Sequence, residues 1–453
     1  MLTVKLPNDN LPERKYALYV LLDLHLGLPY RIELHEVPNT IIQLENGRQL
    51  IFEDNFFSQF KKDYEYLLAN NIPNILPVIK KGENPFIPEN DLPIIYGQKT
   101  ISISEERINC GIDIPASIFF MLTRWEENVL PDRDEHGRFP AYASLSFKSG
   151  FLQRPIVEEM STMTWNMLLH LGYKGKGKQH TYQAIVSHDV DIPKLWRNFP
   201  KYIKKLGGDL LVRKNLKHFF FTLKSYPLTA LHLQPDPYDT FNYLMYVSER
   251  HGMQSHFFFL NGGETKYDGN FNLESSFGKK LFNEIHERGH IIGFHPSYNT
   301  CTNEDLFGKE LSSLQAISPQ PIKCGRQHFL RFEVPGTWEL WEKNGMEWES
   351  TLGYPEQAGF RCGTCRPFPV FNILTRQQMK LMEVPLIAME VTFVKYKKNE
   401  PGEMLAEIES LINKVKKYGG KFVLLWHNSS FNDPDYLEYK IIYPLLLSEM
   451  TAA

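Results

Sequence analysis

Two aspartates separated by one residue follow a short apolar segment and have the spacing of a catalytic pair. Ala184 to Val186 is followed by Ser187-His-Asp-Val-Asp191. In an extended chain, residues two apart face the same side, so Asp189 and Asp191 should project together. A bound cation or a shared proton would relieve their repulsion, so the pair predicts one metal ligand beside one general base. A solvated turn or helix cap ahead of Pro193 is the alternative interpretation.

Three further apolar segments end in residues that suit the same chemistry. His295 ends the segment that starts at Gly289, Arg326 and His328 follow Gly325, and His427 ends a strongly apolar segment. Imidazole is a natural ligand for zinc or a similar divalent ion, although an isolated histidine is more often structural. Because such groups occur at four predicted strand ends, the pattern favours a metal-assisted hydrolase.

An array of strands and helices is needed to bring these residues together. Strand-like and helical segments alternate after residue 180, which is typical of βαβ units with a parallel sheet or barrel. In such folds the chemistry gathers at the carboxyl ends of the strands. The predicted strands are Ala184 to Ser187, Ser255 to Leu260, His290 to Phe294, Gln327 to Phe332, Val384 to Phe393 and Phe422 to Trp426. The predicted helices lie near Thr240 to His251, Ser275 to Arg288, Glu304 to Ile317 and Met404 to Lys417.

The length of 453 residues predicts two domains. The clearest change of composition is the Gly- and Lys-rich segment 172–178, which places the boundary between residues 1–175 and 176–453. The first part has the pattern of a smaller α/β domain without a convergent catalytic set. We expect a helix at Tyr16 to Leu26, strands at Tyr30 to Leu34 and Gln49 to Phe52, and a helix at Ile118 to Glu127.

Composition excludes several classes of protein. The net charge of −3 provides no global basic field for nucleic acid. The first thirty residues lack the pattern of a signal peptide, and no transmembrane segment is expected. Five cysteines are too few for a disulfide framework, so a cytoplasmic location is expected.

The order and spacing of these motifs in residues 181–431 resemble the NodB-homology polysaccharide deacetylases, carbohydrate esterase family 4, in a divergent branch. The resemblance rests on Asp189 and Asp191, Gly289-His290 with Gly293 and His295, Arg326, and Leu425-Trp-His427. It implies an α/β fold with a distorted (β/α) barrel and removal of acetyl groups from an N-acetylated sugar or glycan intermediate. It also implies a divalent metal, with zinc expected and cobalt, nickel or iron as alternatives. Residues 1–175 resemble an uncharacterised domain that often precedes such modules.

The resemblance assigns a role to each motif residue. Asp189 would be the general base, Asp191 and His295 metal ligands, Arg326 the group that orients the base, and His427 the general acid. The family has a second metal-binding histidine where Asn299 stands in this sequence. An amide oxygen is a weaker zinc ligand than imidazole, so either His328 or His188 completes the set, or metal affinity is low, or activity is lost.

Three further residues are predicted to contact substrate. Arg361 has the fork geometry to bind a carboxylate or a sugar oxygen, with an ordinary surface arginine as the alternative. Trp426 and Tyr298 lie next to the metal and acid motifs in the sequence. The spacing of Cys362 and Cys365 suits a redox pair or half of a zinc site, but coincidence is the favoured interpretation.

Three other interpretations stay open. His286-Glu-Arg-Gly-His290 matches the zinc-protease signature, but Gly289 is expected to end the helix between the two histidines. Residues 194–224 carry nine Lys or Arg against Asp209 alone, interleaved with aromatic residues, and predict either peripheral contact with a glycan or membrane or a solvated helical pair. The third interpretation is a non-catalytic carbohydrate-binding or scaffold protein with a decayed metal site.

Overall fold

The computed structural model describes residues 1–269 and 271–452. In the first 175 residues, six of eight described strands form one sheet in the order β2-β1-β3-β4-β8-β7, and β5 pairs with β6. The strands are β1 Leu2–Pro7, β2 Tyr30–His35, β3 Thr40–Gln43, β4 Gln49–Phe52, β5 Val78–Lys80, β6 Asp91–Pro93, β7 Gly97–Ile103 and β8 Arg107–Ile112. The α-helices are α1 Leu11–Leu18, α2 Ile114–Thr123, α3 Trp125–Val129, α4 Leu145–Lys148 and α5 Ile156–His170.

The rest of the chain alternates strands with helices, joined by short 3-10 and π turns. The strands are β9 Gln183–Val190, β10 Ser255–Leu260, β11 Ile291–His295, β12 Cys324–Gly325, β13 Trp348–Glu349, β14 Phe368–Asn372, β15 Gln377–Glu383, β16 Ala388–Met389 and β17 Lys421–Leu425. The α-helices are α6 Phe199–Gly207, α7 Leu216–Ala230, α8 Phe241–Arg250, α9 Ser276–Glu287, α10 Glu304–Ile317, α11 Gly336–Lys343, α12 Pro401–Lys417 and α13 Ile442–Thr451.

Within the described residues, the second sheet has the order β14-β15-β13-β12-β11-β10-β9-β17-β16. Its neighbouring strands are parallel except for β14 and β15, which form an antiparallel pair. This part of the chain has a mixed α/β fold, and its sheet curls through part of a barrel. The predicted fold class is confirmed in this outline. Because β9, β10, β11, β12 and β17 are parallel neighbours, the residues that follow them meet at one edge.

Several predicted elements agree closely with the structure. The strand Ser255–Leu260 and the helix Glu304–Ile317 have the predicted bounds. The strand predicted over residues 327–332 is wrong, because Phe329 and Leu330 adopt the left-handed conformation, with φ of 60° and 55°. The long strand predicted over residues 384–393 is also wrong, since only Ala388–Met389 pairs there before a π-helical turn at Thr392–Lys397.

The two predicted parts are joined by buried polar contacts and a shared core. The Tyr16 hydroxyl donates to Pro369 O at 2.8 Å, and Arg361 Nη2 lies 2.6 Å from Glu127 Oε2 with both side chains almost fully buried. One hydrophobic cluster contains apolar side chains from both sides of residue 175. The proposed domain boundary remains a prediction, but burial between the two parts is extensive.

The Arg361–Glu127 pair gives a stability prediction. Replacing Arg361 with Met leaves the Glu127 carboxylate buried with less compensation, so we expect the free energy of unfolding to fall by about 3–5 kcal/mol. Urea denaturation followed by circular dichroism measures this change. The control is Lys343→Met at the exposed Lys343–Glu304 pair, which should cost less than about 1 kcal/mol. Equal effects of the two substitutions would contradict the structural role of Arg361.

Candidate functional site

The end of β9 sends alternate side chains to opposite sides of the sheet. Asp189 and Asp191 line a cavity at the carboxyl edge. His188 lies on the other side, where it stacks on Phe257 and its Nδ1 is 2.7 Å from Trp426 O. Burial lowers the pKa of His188 to about 3, so this imidazole is neutral and structural. The alternation therefore separates His188 from the candidate metal ligands.

Asp191, His295 and His328 converge from three different segments. Asp191 Oδ1 lies 3.2 Å from His295 Nε2 and 3.2 Å from His328 Nδ1, and the two ring nitrogens are 2.9 Å apart. Asp191 follows β9, His295 is the last residue of β11, and His328 follows β12. The structure thus brings together one carboxylate and two imidazoles that are far apart in the sequence.

The outer nitrogen of each imidazole is held by the backbone. His295 Nδ1 lies 2.7 Å from Arg326 O, and His328 Nε2 lies 3.1 Å from Tyr267 O. A carbonyl oxygen only accepts, so each of these nitrogens carries a proton, and in the neutral rings His295 Nε2 and His328 Nδ1 present lone pairs to each other. Hydrogen bonds of this kind orient metal-binding histidines.

This donor set fits a divalent cation. Asp191 Oδ1 is buried and accepts no hydrogen bond. Burial opposes ionisation of Asp191, but in the metal-free site positive charge on the protonated His328 and His295 rings outweighs it and holds the pKa of Asp191 well below its usual value. Two neutral imidazoles and one carboxylate are a ligand set that zinc commonly has in proteins. Asp191, His295 and His328 are therefore the residues that could hold the metal.

Asp189 is held by an arginine beside this group. Arg326 Nη1 lies 2.8 Å from Asp189 Oδ1, and Arg326 also donates to Ser187 Oγ and to Ser350 O. The position of Arg326 depends on Gly325, where a Cβ atom would lie 1.8 Å from Phe294 O. Arg326 is fully buried and its contacts fix one Asp189 oxygen, which leaves the other available to a reacting group.

His427 lines the same cavity and is paired with Glu390. Glu390 Oε1 accepts from the backbone N–H of His427 at 2.9 Å, from Ser430 Oγ at 2.7 Å, and lies 2.8 Å from His427 Nδ1. Burial alone would lower the pKa of His427, but the Glu390 carboxylate raises it to about 10. Glu390 was missed in the sequence, where a single acidic residue inside the apolar segment 384–393 was the available signal.

The cavity between these groups has a volume of about 180 Å³. Sites for whole drug-sized ligands are typically about 300–1,000 Å³, so this cavity suits a small group on a larger substrate. Its wall is largely apolar away from the titratable residues, with Phe329, Leu330, Pro355, Met389, Val391 and Leu425. Arg138 and Tyr396 complete the wall, and Arg138 comes from the first 175 residues, where no site residue was predicted.

An aromatic cluster supports the left-handed turn that follows His328. Phe329 packs against His136, Tyr267 and Tyr298, with ring centroids 4.7–5.4 Å apart. Tyr298 also stacks on Tyr267 and its hydroxyl lies 3.0 Å from His136 Nδ1. Strained backbone of this kind persists where the surroundings over-determine it. Tyr298 therefore supports the turn, and it does not line the cavity as the predicted substrate contact would.

Three other predicted site residues lie apart from the cavity lining. Asn299 is exposed and begins a 3-10 turn, so the structure does not bring it to Asp191 and His295. Trp426 is buried against Phe431, because β17 alternation turns it to the side opposite His427. Arg361 is buried in its ion pair with Glu127 and in a bond to Gly353 O.

The end of a helix separates the two histidines of the zinc-protease signature. Helix α9 ends at Glu287. Gly289 has a φ of 76°, a left-handed conformation in which a right-handed helix cannot continue. His290 then pairs with Glu249 and accepts from the Ser255 backbone N–H at 2.9 Å. His286 and His290 therefore do not share a helix face, as the protease mechanism requires.

The two closely spaced cysteines are buried and unpaired. Burial raises the pKa of both the Cys362 and the Cys365 thiol well above the usual value. A thiol that resists ionisation is a poor nucleophile and a poor metal ligand. Coincidence remains our interpretation of their spacing.

The convergent ligand set predicts loss of metal on one substitution. The native chain should retain about one zinc ion after dialysis, whereas Asp191→Asn should retain less than a tenth as much, because an amide is a weaker ligand. Elemental analysis by mass spectrometry measures the content. Asp433→Asn is the matched control, since Asp433 belongs to a second, half-buried acidic group with His218 and Asp435. Zinc that is retained by the Asp191 variant, or lost from the control, would contradict the site.

The Glu390–His427 pair predicts a pH dependence. The pKa of folded His427 lies above the ordinary value of 6.5, so the pair stabilises the fold fully below pH 6.5 and this contribution is lost as pH rises through about 10. In metal-free protein, Glu390→Gln should lower the pKa of His427. Burial disfavours the charged imidazole, and a neutral amide at position 390 would no longer offset that effect. Histidine NMR titration measures the pKa. Glu105→Gln, at an exposed position, should leave it unchanged. An unchanged pKa in the Glu390 variant would contradict the pairing.

Comparison with known proteins gives a family match for the N-terminal part and distant likenesses to solved structures. Residues 2–173 match a family of unknown function, DUF7033. No curated protein is detectably similar in sequence. The structure is similar to a proposed polysaccharide deacetylase from Mycobacterium smegmatis, with 13% identity, a TM-score of 0.39, and coverage of 61% of this chain and 85% of the other.

Two more solved structures show weaker likeness. One is a CE4 family pseudoenzyme from Bacillus anthracis, with 9% identity, a TM-score of 0.29, and coverage of 60% of this chain and 66% of the other. The other is the catalytic domain of a peptidoglycan N-acetylglucosamine deacetylase from Eubacterium rectale, with 10% identity, a TM-score of 0.27, and coverage of 59% and 86%. Likenesses this distant assign no activity to the chain.

Proposed function

We propose that the chain is a metal-dependent hydrolase that removes the acetyl group from an N-acetylated sugar or glycan intermediate. The observation that carries the proposal is the convergence of Asp191, His295 and His328 in one small cavity that Asp189 and His427 also line. The order of the motifs, which resembles that of polysaccharide deacetylases, supports the substrate class. The small, partly apolar cavity suits an acetyl group and leaves the sugar outside it.

Asp191, His295 and His328 would hold the metal, for which zinc is the expected ion. When bound there, a divalent ion supplies a Lewis acid for the acetamide carbonyl and lowers the pKa of a water molecule. The chain itself supplies the proton transfers and the positioning. The backbone carbonyls of Arg326 and Tyr267 keep the two imidazoles in the orientation that ligation requires.

Asp189 is the proposed general base. Arg326 holds one of its oxygens, so the other can take a proton from the attacking water without rotation of the carboxylate. Arg326 touches neither water nor substrate in this role and acts as a positioning residue. Its buried contacts with Ser187 and Ser350 give it a single orientation.

His427 is the proposed general acid. Its raised pKa means that it carries a proton at neutral pH, and an amine needs that proton to leave. Glu390 holds Nδ1, so Nε2 is the ring nitrogen available to the leaving group. Arg138 and Tyr396 close the cavity wall and would contact the substrate near its acetyl group.

An acetate-release assay tests the base. With zinc or cobalt added, the native chain should release acetate from N-acetylglucosamine oligomers, and Asp189→Asn should reduce the rate by about 10²–10⁴-fold, since an amide cannot accept the proton. The matched control is Asp23→Asn, at an exposed aspartate remote in sequence from the motifs, which should keep the native rate.

The outcomes separate the proposal from its alternative. Acetate release that survives Asp189→Asn would refute the assignment of the base. A native chain that binds zinc and glycan oligomers but releases no acetate from any acetylated sugar would favour the carbohydrate-binding or scaffold interpretation.

A further inference from the structure

A helical arm leaves the sheet directly after the candidate metal ligand Asp191. We define the arm as residues 194–235. It contains α6, a π-helical turn at Gly208–Val212 and α7, and the chain then returns to the sheet through α8. Both attachments lie at the carboxyl edge, where Thr240 Oγ1 donates to Asn428 O at 2.9 Å, next to His427.

The inner side of the arm is packed and anchored. The Asp236 carboxylate accepts the backbone N–H groups of Leu195 and Trp196 at 2.8 Å. Tyr202 of α6 stacks on Tyr226 of α7, with ring centroids 4.3 Å apart. These contacts form a small core of their own. The arm therefore has the apolar contacts that hold its two helices together, without using its outer face.

The outer face of the arm is also apolar. On α7, Leu216, Phe220 and Leu223 are exposed at positions i, i+4 and i+7, which share one helix face. At the tip between the helices, Leu211 is 74% and Val212 is 80% exposed. Of the 27 exposed large hydrophobic side chains in the described part of the chain, eleven lie within residues 199–233. Such a concentration marks an interaction surface, whereas scattered exposed residues do not.

The charge of the arm identifies the kind of partner. Nine Lys or Arg occur in residues 194–224, against Asp209 alone. Asp209 is compensated internally, because Thr222 Oγ1 donates to it at 2.6 Å and Arg213 pairs with it. The surface is therefore apolar and cationic together, a combination that complements anionic lipid headgroups above acyl chains.

We propose that the arm docks on an anionic lipid bilayer, with the tip at Leu211 and Val212 entering the interface. In a dimer formed through this face, the positively charged surfaces of the two copies would repel each other, which opposes pairing. A glycan would use flat aromatic rings, whereas the most exposed side chains are aliphatic. Docking holds the carboxyl edge of the sheet, and with it the cavity, close to the lipid surface. The proposal does not depend on the hydrolase activity.

Vesicle sedimentation with the full chain tests the proposal. The native protein should sediment with phosphatidylcholine vesicles that contain about a third phosphatidylserine, and less with pure phosphatidylcholine. Raising the salt should weaken binding, since the headgroup attraction is screened. The double substitution Leu211→Asn with Val212→Asn should weaken binding at least fivefold. Lys204→Gln with Lys217→Gln should weaken binding to the anionic vesicles and leave the weak binding to neutral vesicles unchanged.

Matched controls separate docking from loss of fold. Ile75 is 87% exposed and lies outside the arm, so Ile75→Asn should bind vesicles as the native chain does. Lys99→Gln is the corresponding control for charge. All variants should keep the native circular dichroism spectrum, because the substituted side chains are exposed. No sedimentation of the native chain, an effect of Ile75→Asn equal to that of the tip substitutions, or tip substitutions that instead dissolve a lipid-free dimer in light scattering would overturn the proposal.

Discussion

The candidate site depends on lone pairs that are forced to face each other. Two backbone carbonyls fix the outer nitrogens of His295 and His328, so the inner nitrogens lie 2.9 Å apart beside a carboxylate oxygen. Without a positive charge between them this arrangement is electrostatically unfavourable. The surrounding structure must therefore hold it: β11 and β12 approach each other through Gly325, and the left-handed turn at Phe329 is packed among aromatic rings. Fold and site are linked through this one constraint.

The sequence predicted the part of the site that follows from local geometry. Alternation along β9 placed Asp189 and Asp191 together, and the ends of apolar segments located His295 and His427. These inferences need only the two-residue alternation of side chains along a strand and the parallel direction of neighbouring strands. The roles assigned to these residues remain proposals, but their proximity follows from the structure.

The rest of the site depends on tertiary contacts that leave a weak trace in the sequence. Glu390 reaches His427 only because the two-residue strand β16 pairs with β17. Phe329 has a positive φ without being glycine, so composition alone favoured a strand there. Arg361 was placed near substrate because of the fork geometry of its guanidinium, and Trp426 because it precedes His427 in the sequence, yet burial in an ion pair and in the core determines their positions.

The place of Arg138 in the cavity wall affects how the chain can be divided. A fragment that starts at residue 176 would lack this guanidinium, and it would leave Arg361 without the carboxylate that compensates it. It would also expose to water the face of Phe371 that Tyr16 and Phe119 cover. A truncated protein of this kind therefore does not contain the whole candidate site, and tests of the proposed activity should use the full 453-residue chain.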